Sequence, residues 1–276
     1  MKQMAMQWLL RWPTSLWSNR ELVWQLTKRE IQGRYRGSML GWGWSLVTPL
    51  MMLGVYTFVF AQVFQARWPE SAGQGPFAFA LNLFAGLIVF GIFAETSNQA
   101  PSLIVNNQNL VTKVIFPLEV LSAVSVASAL FHALTSLGIL VLFQVFSGGI
   151  HAVPATLLWL PLIWAPLIMG SLAISWILSS LGVYLRDLGQ VTGVAVNLLM
   201  FLSAVFYPVT ALPQQIRPIL EINPLITIIQ QTRRAAIEGQ SPSTHYLIIG
   251  FIGGYLACCL AARGFQKASR GFADVL

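Results

Sequence analysis

The sequence predicts an all-α membrane protein with six transmembrane helices, an N-terminal amphipathic interface helix, and short re-entrant helices between spans five and six. Only 9% of its 276 residues are charged, whereas soluble domains carry about 25% charged residues. The 30 positions 37–66 contain no Asp, Glu, Lys or Arg, and neither do the 66 positions 120–185. Because about 20 apolar residues cross the hydrocarbon core of a bilayer, these runs are long enough to form membrane spans.

Residues 1–37 are expected to form a cytoplasmic arm and an amphipathic helix. Trp17, Trp24 and Ile31 recur every seven residues, while Arg29 and Arg34 lie mainly on the other side of the helix. This pattern is typical of a helix whose apolar side lies in the headgroup layer while its cations face phosphate. The alternative is an ordinary amphipathic helix packed on a soluble domain. No secretory signal is evident in this region, so we expect the first span to act as its own insertion signal.

Residues 38–262 are expected to form the six-helix domain. Charge-free windows place the spans at residues 39–64, 71–94, two within 120–185, 189–208 and 244–262. A Ser-Gly-Gly-Ile-His break at residues 147–151, followed by Pro154, separates spans three and four. Two glycine pairs at small-x-x-x-small spacing, Gly189/Gly193 and Gly250/Gly254, would allow close helix approach.

The distribution of basic residues predicts the orientation of the chain. Twelve of the 16 Lys and Arg residues fall in segments that are cytoplasmic if the N-terminus is inside. The positive-inside rule then places both termini in the cytoplasm, including the tail 263–276. The net charge of +7 is concentrated near the two ends, which favours anionic lipid over nucleic acid as its electrostatic partner.

The cytoplasmic loop 97–117 does not resemble a plain connector. It is half apolar and too short to span the membrane. A helix there would place Leu103, Leu110 and Val114 on one side and amide side chains on the other. Such a helix can fill the groove of a partner protein. The alternative is a surface helix that rests on lipid.

The outward loop 209–243 contains apolar runs of about ten residues, too short to cross a bilayer. Prolines at 208, 213, 218 and 224 interrupt the region. Backbone that is not helical at membrane depth must be buried in protein or must line a wet cavity. We therefore expect re-entrant segments that border a pathway at the outer side. The alternative is an interfacial belt without any role in a pathway.

The sequence contains no P-loop pattern, no metal-ligand cluster and no Ser-His-Asp set, so we predict no catalytic residue and no metal site. His132 is isolated and is expected to be a packing residue. Glu95 and Glu119 fall at cytoplasmic span ends and are expected to pair with Lys113 or Arg186. The near absence of ionisable groups within the spans disfavours an ion-coupled carrier.

Aromatic residues are abundant in spans one and five. Their rings can pack on the C–H faces of sugars, while hydroxyl or backbone groups bind the polar edges. A lipid-facing belt or an ordinary core is the alternative for each ring. The candidate channel residues are Trp42, Trp44, Tyr56, Phe60, Phe201, Phe206 and Tyr207.

Several segments resemble those of ABC-2-type export permeases over residues 20–270. They are Lys28-Arg29-Glu30, Arg34-Tyr35-Arg36-Gly37-Ser38 with Leu40-Gly41, Trp44 and Pro49, Asn109-Leu110-Val111-Thr112-Lys113 with Phe116-Pro117, Arg186-Asp187, Tyr207-Pro208, and Asn223-Pro224. Within that superfamily the sequence is similar to the branch of polysaccharide exporters, which includes O-antigen, capsular and teichoic-acid permeases.

This resemblance implies an ATP-driven exporter of lipid-linked polysaccharide in the bacterial inner membrane, formed by a homodimer bound to two copies of a separate ATPase. That partner would bind ATP and Mg, and this chain would hold no cofactor. The residues implied in coupling to the ATPase are Arg29, Arg34, Asn109, Lys113, Arg186 and Asp187. The implied extracytoplasmic gate comprises Pro208, Asn223 and Pro224. The alternatives are an ABC-2 exporter of small hydrophobic compounds and, less favoured, an ion-coupled secondary transporter working alone.

Overall fold

The computed structural model describes residues 12–63, 76–112, 116–149, 152–211 and 213–276. These ranges contain helices and connecting turns but no β-strand, so the all-α prediction is confirmed for them. The helices are α1 (residues 12–18), α2 (Arg20–Tyr35), α3 (Trp44–Tyr56), α4 (Pro76–Leu103), α5 (Gln108–Thr112), α6 (Glu119–Gly148), α7 (Leu160–Tyr184), α8 (Leu188–Leu202), α9 (Arg217–Leu220), α10 (Pro224–Ala236), α11 (Thr244–Ala268) and α12 (Phe272–Val275).

Five helical segments within these ranges are long and apolar enough to cross a membrane. They are Gly41–Val59, Phe79–Leu103, Glu119–Phe146, Ala155–Tyr184 and Thr244–Val275, which correspond to predicted spans one, two, three, four and six. The helix at predicted span five, α8, is apolar but has only 15 residues. Since about 20 residues cross a hydrocarbon core, the sixth crossing stays a prediction.

Helix α4 forms the centre of the bundle. In its most apolar 18-residue stretch, 78% of the residues are buried. The helix packs against α6, α7, α8 and α10. It does not end at residue 94, as the charge of Glu95 suggested, but continues to Leu103 through Pro101. The helix can continue because the Glu95 carboxylate is paired with basic side chains of α2 and α6. A paired charge does not need to leave the protein interior.

Helices α7 and α11 approach each other closely. A Cβ atom added at Gly250 would lie 2.9 Å from Cγ of Pro166, and one at Gly254 would lie 3.1 Å from Cβ of Met169. The close approach predicted for this glycine pair is therefore confirmed. At the other predicted pair, on α8, an added Cβ would meet no described atom within 4 Å. That pair faces open space in the single chain.

In the described part of the loop 97–117, the predicted helix is not one continuous helix. Leu103 ends α4, a short 3₁₀ turn follows, and α5 begins at Gln108. The Asn107 side chain donates to the Leu103 carbonyl oxygen at 2.8 Å, which supplies a partner for a carbonyl at the end of α4. Leu110 belongs to α5, while Val114 lies outside the described residues.

Helix α2 packs on α6 through Thr27 and Ile31. Trp17 and Trp24 are 72% and 69% exposed, so the seven-residue row does not form one continuous protein contact. The Arg20 guanidinium lies 5.4 Å from the centre of the Trp17 ring. Trp17 and Trp24 are thus uncovered by the described chain, and the position of α2 at a membrane surface stays a prediction.

Candidate functional site

Helices α3 and α8 are among those that leave apolar side chains uncovered by the rest of the chain. On α3 the exposed side chains include Leu50, Met51 and Val55, and on α8 they include Val194 and Leu198. We call this surface the α3–α8 face. Both helices are anchored on α4. An uncovered apolar surface of this extent marks contact with lipid, a protein partner or a ligand pathway.

A row of aromatic residues connects the two uncovered helices. Tyr56 at the end of α3 meets the Phe206 ring edge-on at 6.2 Å, and Phe206 stacks on Phe201 of α8 at 5.3 Å. The Tyr207 hydroxyl donates to the Phe201 carbonyl oxygen at 2.7 Å and so fixes the turn after α8. The structure therefore brings together four of the seven predicted channel residues.

The other predicted channel residues do not join this aromatic row. Trp42 packs edge-on against Phe131 of α6 at 5.7 Å. Trp44 is 40% exposed and lies one turn into the first span, far along α3 from Tyr56. The side chain of Phe60 lies outside the described part of the chain. The predicted set of rings is thus divided between the two ends of α3.

A pocket of about 460 Å³ lies between α3, α4 and α6. Trp44 and Tyr56 line it along α3, so it extends over most of that helix. One end is apolar, whereas the other carries the side chains of Arg34, Glu95 and His132. The lining of the pocket is therefore amphiphilic, and its charged end lies near the end of α2.

The charged end of this pocket is a three-residue cluster. Arg34 Nη1 lies 2.7 Å from Glu95 Oε1, and His132 Nδ1 lies 3.0 Å from Glu95 Oε2. Among the described residues, Glu95 pairs with Arg34 and His132 and not with the predicted Arg186. Lys113, the other predicted partner, lies outside the described residues. His132 packs edge-on against the Tyr35 ring at 6.1 Å, as expected of a packing residue, and its contact with Glu95 also links α6 to α4.

Glu119 has a described partner that was not predicted. Its carboxylate accepts a hydrogen bond from the Ser15 hydroxyl at 2.9 Å, which ties α1 to the start of α6. Nearby, desolvation by burial raises the pKa of Glu30 on α2, although the Arg34 charge acts in the opposite direction. Two carboxylates at this end of the molecule therefore lie in protein contacts of α1 and α2.

The residues predicted to couple to an ATPase lie on exposed surface, except Lys113, which lies outside the described ranges. Arg29 lines an open cleft of about 300 Å³ between α2, the end of α4 and Asn107, just before α5. Asn109 on α5 is exposed, as are Arg186 and Asp187 in the turn between α7 and α8. We call this end of the bundle the α5 end.

The α5 end is supported by the C-terminal helix α12. Phe272 is fully buried, meets Phe265 edge-on at 5.8 Å, and packs 6.2 Å from the Tyr184 ring at the end of α7. Leu110 of α5 packs against the same apolar cluster. The turn after α7 and helix α5 therefore rest on one shared core.

The predicted gate residues lie at the opposite end of α4, which we call the α10 end. Asn223 caps α10, because its Oδ1 accepts from the backbone N–H of Leu225 at 3.0 Å. Its Nδ2 also donates to the Ser203 hydroxyl at 2.9 Å, just after α8. Pro224 occupies the first turn of α10, where no N–H donor is needed, and Pro208 is buried. Asn223 and Pro224 therefore attach α10 to the end of α8.

A buried arginine connects three segments at this end. Arg233 is 3% exposed, and its guanidinium donates to the carbonyl oxygens of Asn82 at 2.9 Å, Ala204 at 3.0 Å and Val205 at 2.7 Å. Ala204 has a φ of 52°, a conformation that a non-glycine residue rarely adopts. The carbonyl groups of this strained turn are thus oriented toward one cation.

The role of Arg233 was not predicted, because only the side of the membrane was inferred for the basic residues and Arg233 fell among the four on the outer side. The sequence signal for this role was the helical spacing that places Arg233 on the same side of α10 as its isoleucines. Arg233 lies seven residues after Ile226 and four after Ile229, and both isoleucines are fully buried. Such spacing places the arginine on the packed side of α10.

Comparison with known proteins agrees with this architecture. Residues 21–236 match the family described as ABC-2 type transporter. The O-antigen export system permease protein RfbA of Klebsiella pneumoniae is 24% identical over 256 residues, covering 93% of this chain and 95% of that protein. RfbA of Myxococcus xanthus is 26% identical over 242 residues, covering 87% and 89%.

The polysialic acid transport protein KpsM of Escherichia coli is 26% identical over 223 residues, covering 79% of this chain and 83% of that protein. The family match extends over most of the 276 residues, from α2 to the end of α10. The chain therefore belongs to the family of ABC-2 type transporter membrane proteins.

Proposed function

We propose that this chain is the permease subunit of an ATP-driven exporter that moves lipid-linked bacterial polysaccharide, O-antigen or capsule, across the inner membrane. The observation that carries the proposal is similarity over nearly the full length to permeases named for O-antigen export and polysialic acid transport. The aromatic row at the junction of α3 and α8 supports it, because rings offer weak, repeated contacts to sugar C–H faces.

The functional unit in this proposal is a homodimer with the pathway between two copies. The α3–α8 face is apolar and uncovered, and the glycine pair 189/193 on α8 leaves room for a closely approaching helix. Aromatic rings suit contact with a sugar polymer, so the proposed pathway runs along this face.

The energy source in this proposal is a separate ATPase, present in two copies, which binds ATP and Mg. Its contact surface is the α5 end, where the cleft beside Arg29 and the exposed α5 form a groove and a projecting helix. The cluster of Arg34, Glu95 and His132 would then transmit movement of α2 to α4 and α6, since it joins all three helices.

The proposed arrangement places both termini and the α5 end in the cytoplasm, with α2 at the membrane surface. Helix α8 supplies the sixth crossing, and α9 and α10 form the extracytoplasmic re-entrant gate. The length of α8 is compatible with this, because the turn at residues 203–205 is buried in protein where a short helix must stop.

Deletion of the gene in its native host tests the function. We expect the polymer to be detected by a specific antibody or lectin only after permeabilisation, and to return to the surface when the wild-type chain is supplied. Normal surface polymer in the deletion strain would contradict the proposal. The alternative, an exporter of small hydrophobic compounds, predicts normal polymer together with increased drug sensitivity.

A further inference from the structure

A second pocket lies at the α10 end, and its walls are polar. It is open, has a volume of about 380 Å³, and lies between α9, the last turns of α10, residues 208–210 and the turn 238–240. Ligand pockets in proteins typically have volumes of about 300–1,000 Å³. Nothing in the aromatic row or the cap of α10 uses this space, so the pocket is available to a ligand.

Two arginine side chains are held at its rim by their Nε atoms. Arg234 Nε donates to Oε1 of Gln240 at 3.1 Å, and Arg217 Nε donates to Oε1 of Glu221 at 3.0 Å. Within the described ranges, the terminal nitrogens of these two guanidinium groups make no hydrogen bond. Both groups are therefore positioned and still have donors to offer.

The charge of the pocket is positive. Arg233 contributes a third guanidinium from its buried position, while the carboxylates are Glu238 in the lining and Glu221 beside Arg217. Guanidinium groups bind carboxylate and phosphate through two parallel hydrogen bonds. The lining also includes Thr210 and Gln230, whose hydroxyl and amide can donate to and accept from sugar hydroxyls.

We propose that this pocket binds the anionic group, carboxylate or phosphate, of an acidic sugar unit in the exported chain. The inference rests on the proposed function, because it takes the ligand to be part of the polymer. The pocket lies next to the turn that carries Phe206, Tyr207 and Pro208, where a polymer leaving the aromatic row would pass. An open site with few donors binds weakly, which allows a moving chain to be released.

Binding of short oligosaccharides to the full chain in phosphatidylcholine nanodiscs tests the proposal. We expect tetragalacturonate to bind about tenfold more tightly than neutral maltotetraose, because only the acid can use the guanidinium donors. In the double variant R217Q/R234Q this preference should largely disappear. In the control R270Q, an exposed arginine at the α5 end, it should be unchanged. In the wild type, raising NaCl from about 50 mM to about 500 mM should weaken the binding of tetragalacturonate but not the binding of maltotetraose.

The remaining outcomes overturn the proposal. Equal affinity for the two oligosaccharides, a preference that survives in R217Q/R234Q, or binding of the acid that is insensitive to salt would each do so. Loss of tetragalacturonate binding when the nanodiscs contain phosphatidylglycerol would assign the pocket to lipid headgroups instead. The deletion phenotype is scored separately, so failure of this site and failure of the export function can be distinguished.

Discussion

The contact between Gly86 of α4 and the buried guanidinium of Arg233 leads to a quantitative prediction. A Cβ atom added at Gly86 would lie 2.7 Å from Arg233 Nη2 and 3.4 Å from the Val205 carbonyl oxygen. The guanidinium cannot move away without lengthening its hydrogen bonds to Ala204 and Val205. Substitution Gly86→Ala should therefore destabilise the protein, although alanine is the better helix former.

The expected magnitude follows from the contacts. Overpacking a filled site typically costs about 1–3 kcal/mol, so we expect Gly86→Ala to lower the free energy of unfolding by about 2 kcal/mol. Arg233→Ala removes hydrogen bonds worth about 1.5–3 kcal/mol each, and the desolvation of the guanidinium offsets part of that, leaving a loss of about 3 kcal/mol. In the Arg233→Ala background the clash is absent, so Gly86→Ala should be neutral or slightly stabilising.

The assay is a double-mutant cycle of unfolding by SDS in mixed micelles, with a coupling free energy of about 2 kcal/mol expected between the two positions. Gly91→Ala on the same helix is the matched control, because a Cβ there meets no described atom within 4 Å. The reasoning is refuted if Gly86→Ala costs as much in the Arg233→Ala background as in the wild type. It is also refuted if Gly91→Ala is equally destabilising.

Three further substitutions test other contacts. Tyr56→Leu should slow polymer export several-fold in a pulse-chase assay without lowering the Tm, whereas Phe146→Leu on α6 should do neither; equal rates would count against the aromatic row. Burial raises the pKa of Glu30 above its ordinary value of 4.5, so the folded protein holds the carboxyl proton of Glu30 more tightly than the unfolded chain does. Stability is therefore lost as the pH rises from about 4.5 through the raised pKa. Glu30→Gln should thus raise the Tm at neutral pH but not below about pH 4.5, and a gain independent of pH would exclude this cause. Arg34→Gln should destabilise by about 1 kcal/mol, and by less in a Glu95→Gln background; additive losses would show that the ion pair contributes nothing.

Most of the helix positions could be predicted from the sequence. A charge in hydrocarbon is costly, so a long charge-free run marks a span by local composition alone. The split between α6 and α7 at the glycine break before Pro154 was confirmed in the same way. The end of α4 could not be predicted, because the cost of the Glu95 charge depends on Arg34 and His132, which are distant in sequence.

The parts of the candidate site differ in how far the sequence could anticipate them. Asn223 and Pro224 were named as gate residues from the family resemblance, and that role stays a prediction. The cap that Asn223 forms on α10 was not predicted, although Asn before a helix is a local capping signal. For the aromatic residues, composition identified a group of seven candidates. Only the folded chain shows that Tyr56, Phe201 and Phe206 are in contact while Trp42 lies elsewhere.

The sequence by itself determined that the chain lies in a membrane, that its fold is all-α, and where most of the spans lie. Each of these depends on the composition or pattern of neighbouring residues. Only the tertiary structure decided which charged side chains are buried and which glycines lie at contacts between helices. Arg233 is internal since carbonyl groups from residues 82, 204 and 205 converge on it, and no local pattern encodes that convergence. Two glycine pairs with identical spacing likewise differ in their contacts. The pair on α11 lies against α7, whereas no described atom lies against the pair on α8.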